Sequence, residues 1–253
     1  MPPVHIELRA DVAFHAVKVR EEGAAGMRAG ADYLTRATVK PSMRRRVFEW
    51  KLHVADNYMM LPNTALHLAF NYFDRFLANT PCAPERLQLV ATACLWVASK
   101  VCANECRLAS AAQLGMYLVG VPPEEVLAME RELLTALGHR VMPLTTLDFV
   151  SLLLPFVSCT ADQRKTLVHY TESISLAQAL PYRLVGFSPA ALGVAAVVCA
   201  ASLVSGDDLV DEALESELAK LAEVGPDALL CRQATMSEID LKKVIEVPGP
   251  EQS

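Results

Sequence analysis

The sequence predicts an all-α fold of two tandem five-helix bundles preceded by an N-terminal helical segment, on three observations. Hydrophobic residues make up 53% of 253 while glycines number only 11, and the abundance of Ala and Leu favours helix nearly throughout. Apolar residues recur at spacings of three and four in segment after segment, several of them opened by proline, the pattern of helices with proline in the first turn. The two halves also repeat in order. Leu87 falls on Leu192, Leu89 on Val194, Ala91 on Ala196 and Cys94 on Cys199, each block following a proline, Pro84 or Pro189, as in two copies of one plan.

Residues 5–36 carry Val12, Phe14, Val17 and Val19 among charges, break at Glu21-Glu22-Gly23 and resume to Tyr33-Leu34. This stretch predicts one or two helices outside the repeat. Lys40-Pro41-Ser42-Met43 opens the first helix of the first bundle, with Val47, Trp50 and Val54 expected on one face. Pro62 begins the second, through Leu66, Phe70, Phe73 and Leu77. A turn with Pro81 and Pro84 leads to RLQLVATACLWVASK (86–100), apolar on all faces until Ser99-Lys100. Such a helix belongs inside a bundle, and a cation at its C-terminal end is favoured by the helix dipole. A fourth helix is expected over 109–119. The fifth starts at Pro122-Pro123, with Glu124 and Glu125 in its first turn. In the second half the helices are expected at 144–156, 162–180, 188–204, 209–224 and 226 to about 244. The domain reading is an N-terminal segment 1–40, a first bundle 41–140, a second bundle 144–245 and a tail 246–253.

Charge and composition narrow the function. With 23 basic against 29 acidic residues and a net charge of −6, nothing drives the chain toward phosphate backbones or anionic membranes. The longest apolar run, 190–204, is shorter than the roughly 20 residues a bilayer span needs. The N-terminus has no basic segment followed by an apolar run, so no signal peptide is expected. Seven cysteines, odd in number and mostly within apolar stretches, read as reduced, buried thiols of an intracellular protein. Cys102-x-x-x-Cys106 and the scattered His5, His15, His53, His67, His139 and His169 form no paired metal-ligand motif. Neither a glycine-rich phosphate loop nor a nucleophile elbow occurs. No catalytic residue, metal or cofactor is expected.

Four blocks, in order and spacing over about a hundred residues, carry a family resemblance: PSMRRRVFEW (41–50), NYFDRFL (71–77), RLQLVATACLWVASK (86–100) and EEVLAMERELL (124–134). Together they resemble the cyclin box, in wording closest to D-type cyclins, while the second bundle resembles a second cyclin fold in pattern alone. The brief N-terminal region, the short tail and the lack of a Leu-x-Cys-x-Glu motif lead to the expectation of a pared-down cyclin of the gammaherpesvirus kind.

The resemblance implies a noncatalytic chain that binds a cyclin-dependent Ser/Thr kinase as a heterodimer, holds its regulatory helix inward and promotes entry into DNA synthesis. ATP and magnesium would belong to the kinase. The compartment would be the nucleus or cytoplasm of the infected host cell. Lys100 and Glu130 match the Lys and Glu that hydrogen-bond the kinase backbone; a helix-capping lysine and a solvated carboxylate are the structural alternatives. Val97, Val101, Leu134 and Val141 match apolar positions that receive the kinase helix, with internal core as the alternative. His139 stands where relatives place Phe or Trp, which puts the usual packing there in doubt. Arg44 and Asp74 match an ion pair internal to the first bundle. Met43, Val47, Trp50, Leu87 and Gln88 match a patch that docks Arg-x-Leu segments of substrates and kinase inhibitors, Trp50 having a core role as its alternative. Arg46 replaces a usual Ile and His53 replaces the acid that would receive the ligand's Arg, so weakened or altered docking is expected. A nucleic-acid-binding relative of the transcription-factor kind would need a basic face, and only Arg44-Arg45-Arg46 offers one.

Overall fold

The computed structural model describes residues 27–241 apart from 37, 105–108, 118–120 and 206–207, together with 17 and 243. Among them are ten α-helices and no strand. They are α1 (Pro41–Val54), α2 (Asn63–Asn79), α3 (Leu87–Val101), α4 (Ala111–Tyr117), α5 (Pro123–Ala136), α6 (Thr146–Leu153), α7 (Ala161–Gln178), α8 (Pro189–Ser205), α9 (Asp208–Leu221) and α10 (Asp227–Glu238). The two sets of five predicted from the repeat are present. The chain divides into two compact units, and one of them unites Gly26–Pro143 with Ala179–Gly186. The predicted helix 162–180 therefore stops at Gln178, and the residues after it belong to the first unit.

In that first unit α3 is the centre. It is buried continuously from Val90 to Ser99 and packs against α1, α2 and α5, as the apolar run demands. Prolines mark the starts: Pro41 and Pro123 are the first helical residues of α1 and α5, where a missing N–H costs nothing. On α1, Val47, Trp50 and Val54 do not share one face as their spacing predicts, whereas Arg44 is internal as the resemblance implies. Val54 faces inward, but its companions are Arg44, Phe48 and Lys51, while Val47 and Trp50 lie half-exposed on the neighbouring face. Two cations go inside because partners await them. Lys51 Nζ donates to the Ala69 carbonyl at 2.9 Å and lies over the rings of Phe48 and Phe73, 4.9 and 4.3 Å from their centroids. Burial still pushes this ammonium down to about 8.

The C-terminal turn of α5 is shaped by α2. Gly138 (φ 60°) and His139 (φ 57°) are both left-handed, a conformation easy for glycine and uncommon for histidine. Arg75 donates to the carbonyls of Leu137 and Arg140 at 3.1 and 2.9 Å, and Tyr72 Oη donates to that of Val141. These bonds tie the carbonyls of the turn that follows α5 to α2.

The second unit is built around α8, apolar on all sides, against which α6, α7, α9 and α10 pack. Gly193 lets α6 come close: a Cβ there would stand 2.9 Å from that of Phe149. Thr145 and Asp148 close a capping box at the start of α6. α10 ends at Glu238, where Ile239 turns extended (φ −115°, ψ 125°), before the expected 244, and residues 241 and 243 are helical again. No helix among the described residues is long and apolar enough to cross a membrane.

Candidate functional site

Lys100 is the last exposed residue of α3, and Glu130 lies at mid-length on α5. The packing of α3 on α5 brings them together across 30 positions, and Lys100 Nζ donates to Glu130 Oε1. The Lys side chain is 37% exposed and the Glu side chain 15%. An ion pair this open adds little stability, yet its charges remain within reach of another molecule. At the end of α3 the Cys102 N–H takes the Ala98 carbonyl at 3.0 Å. Val101 follows Lys100 and Leu134 lies one turn beyond Glu130, both half-buried. Val141 is also half-buried and His139 is exposed on the left-handed turn. Val97 lies elsewhere: at 4% exposure it is part of the core.

One side chain here escaped the sequence reading. Trp96 lies under Lys100, whose Nζ stands 3.5 Å from the ring centroid. The signal was present in the spacing, one helical turn apart, but was hidden by the uniform apolarity of the run.

Asp74, buried on α2, holds Arg44 and also accepts from Tyr33 Oη at 2.6 Å. The remaining Arg44 nitrogen reaches the Leu180 carbonyl at 2.9 Å. Burial opposes the Arg44 charge, but Asp74 outweighs it and raises the guanidinium above its ordinary value. Burial first, then the Asp74 charge, raises the Tyr33 hydroxyl. These residues form a sealed internal network.

On the outer side of α1, Met43, Val47 and Trp50 form a half-exposed stripe at spacings of four and three, with Arg46 and His53 exposed along its edge. At the start of α3, Leu87 is buried at 5% exposure and Gln88 is exposed. Asn57 Nδ2 donates to the His53 carbonyl at 2.9 Å and also lies 3.2 Å from His53 Nδ1. Tyr58 packs edge-on to the His53 imidazole, with 5.8 Å between ring centroids. Among the described residues no group of three or more His, Cys, Asp or Glu could hold a metal ion. Cys102 is buried, and Cys106 lies outside the described residues.

The model of the cyclin N-terminal domain matches residues 14–142, just over half of the chain. The chain belongs to the cyclin family. It is 26% identical over 219 residues to the G1/S-specific cyclin-D2 of Gallus gallus, covering 85% of this cyclin and 74% of that protein. With the G1/S-specific cyclin-D1 of Mus musculus it shares 29% identity over 163 residues, 64% of this cyclin and 54% of that protein; it spans about half the length of that relative. In fold it is similar to a viral cyclin from herpesvirus saimiri, with a TM-score of 0.71 over 90% of this cyclin and 99% of that chain, at 15% identity. The D-type wording of the four blocks thus has its counterpart in relatives of that type.

Proposed function

We propose that this cyclin is a noncatalytic regulatory subunit that binds a cyclin-dependent Ser/Thr kinase and holds its regulatory helix in the active position. The observation that carries this reading is the meeting of Lys100 and Glu130 at an accessible edge, with half-buried Val101 next to Lys100 and Leu134 one turn from Glu130. A cation and a carboxylate beside apolar surface suit the charged border of a protein interface, fixing register while burial supplies affinity. Binding there converts contact energy into a population shift of the kinase. The D-type relatives support action at the G1/S transition, and the regulator would work in the nucleus or cytoplasm of a host cell. Met43, Val47, Trp50 and Gln88 serve as a substrate-docking patch altered by Arg46 and His53, Leu87 being part of the core.

The test is co-purification with a panel of cyclin-dependent kinases, then phosphorylation assays with Lys100→Ala and Glu130→Ala. Each substitution is expected to weaken kinase binding by roughly ten-fold or more. Wild-type binding and activation by both would remove the site assignment.

A further inference from the structure

We propose that Trp96 is a positioning residue for this surface: its indole face holds the Lys100 ammonium at Glu130, so that the charged anchor is ordered before a kinase arrives. The inference rests on the reading that Lys100 and Glu130 face the kinase. Trp96 and Lys100 lie one turn apart on α3, and Lys100 Nζ is 3.5 Å from the ring centroid, well inside the roughly 6 Å over which a cation is attracted to an aromatic face. The ring itself is fixed. Trp96 is only 7% exposed, and its indole N–H donates to the Ala109 carbonyl at 3.0 Å.

A lysine free in solvent loses most of its rotamer freedom when it docks. Lys100 has already lost it, held by the ring on one side and by Glu130 on the other. An ammonium carries three N–H donors; with one on Glu130 and one toward the ring, a third stays available for a carbonyl of the partner. A leucine at position 96 would keep an apolar, though smaller, side chain there but offer no π face.

The experiment uses the full chain and the kinase that co-purifies with it. In the free cyclin, the ε-CH2 protons of Lys100 are expected upfield of the other lysines, through the ring current of Trp96. That shift should vanish in Trp96→Leu and persist in part in Trp96→Phe. Kinase affinity should fall about two- to five-fold in Trp96→Leu, recover partly in Trp96→Phe, and fall no further when Trp96→Leu is added to Lys100→Ala. An unshifted ε-CH2 in the wild type would overturn the proposal. So would an equal loss from Trp96→Leu with and without Lys100, which marks a packing defect. Wild-type kinase affinity in Lys100→Ala would instead defeat the kinase-surface reading, while the ε-CH2 shift still decides whether Trp96 holds the lysine.

Discussion

Arg44 and Asp74 meet through two parallel bonds, Nε to Oδ1 and Nη2 to Oδ2, each 2.8 Å. The Arg44 side chain is 2% exposed and that of Asp74 12%. The guanidinium carbon also lies over the Phe48 ring, 4.0 Å from its centroid. A pair so enclosed is costly to break because the surviving charge stays buried. Asp74→Asn or Arg44→Ala is expected to lower unfolding stability by about 3–5 kcal/mol, measured by urea denaturation. Tyr33→Phe removes one bond and leaves the pair, so its loss should be smaller, about 1.5–3 kcal/mol. Equal losses from all three would contradict this account of the network.

Lys51 makes stability depend on alkaline pH. Its ammonium titrates near 8 in the fold instead of 10.5, so between those values the unfolded chain binds the extra proton and stability rises with pH. The penalty for burying the charge is present in full below pH 8 and amounts to about 3 kcal/mol. Lys51→Met should flatten the rise between pH 8 and 10.5. The comparison of the two unfolding curves across that range is the measurement, and parallel curves would count against a buried ammonium.

His67 acts at the acid side. Burial lowers its imidazole from 6.5 to about 4, so the folded protein disfavours the charged ring. Stability from this group is present above pH 6.5 and is lost as pH falls toward 4, by up to about 3 kcal/mol. His67→Phe is expected to remove that share of the acid sensitivity, read from denaturation midpoints at pH 7 and pH 4.5. The same pH dependence in wild type and variant would refute it.

Arg46 and His53 lie along the half-exposed stripe of Met43, Val47 and Trp50. A peptide bearing Arg-x-Leu meets like charge there and finds no carboxylate at position 53. The double variant Arg46→Ile, His53→Asp should bind such a peptide about ten-fold more tightly than the wild type. Isothermal titration with one labelled peptide decides the matter, and unchanged affinity would mean these two positions do not set the preference.

Much of the fold was legible because its signals are local. Pro41 and Pro123 mark helix starts through their own fixed φ and missing N–H, and the apolar run of α3 announces its own burial. The four sequence blocks likewise located Lys100, Glu130, Arg44 and Asp74 before any coordinates. The inward face of α1 was legible only at Arg44, through the family resemblance, and not at Lys51. Apolar spacing favoured Val47 and Trp50, whereas Arg44 and Lys51 are buried because Asp74, the Leu180 and Ala69 carbonyls and the rings of Phe48 and Phe73 receive them. The hydrogen-bond acceptors among them lie 18 to 136 positions away in the chain.

From its sequence alone this protein was determined to be all-helical, twofold in plan and a cyclin in its motifs, since helix periodicity and proline placement act within a few residues. Only the tertiary structure decided that residues 179–186 complete the first unit, that Val97 is core, and that Lys100 lies between Trp96 and Glu130. Packing between distant segments sets which polar groups find partners, and whether a charge can be buried depends on those partners more than on its neighbours in the chain.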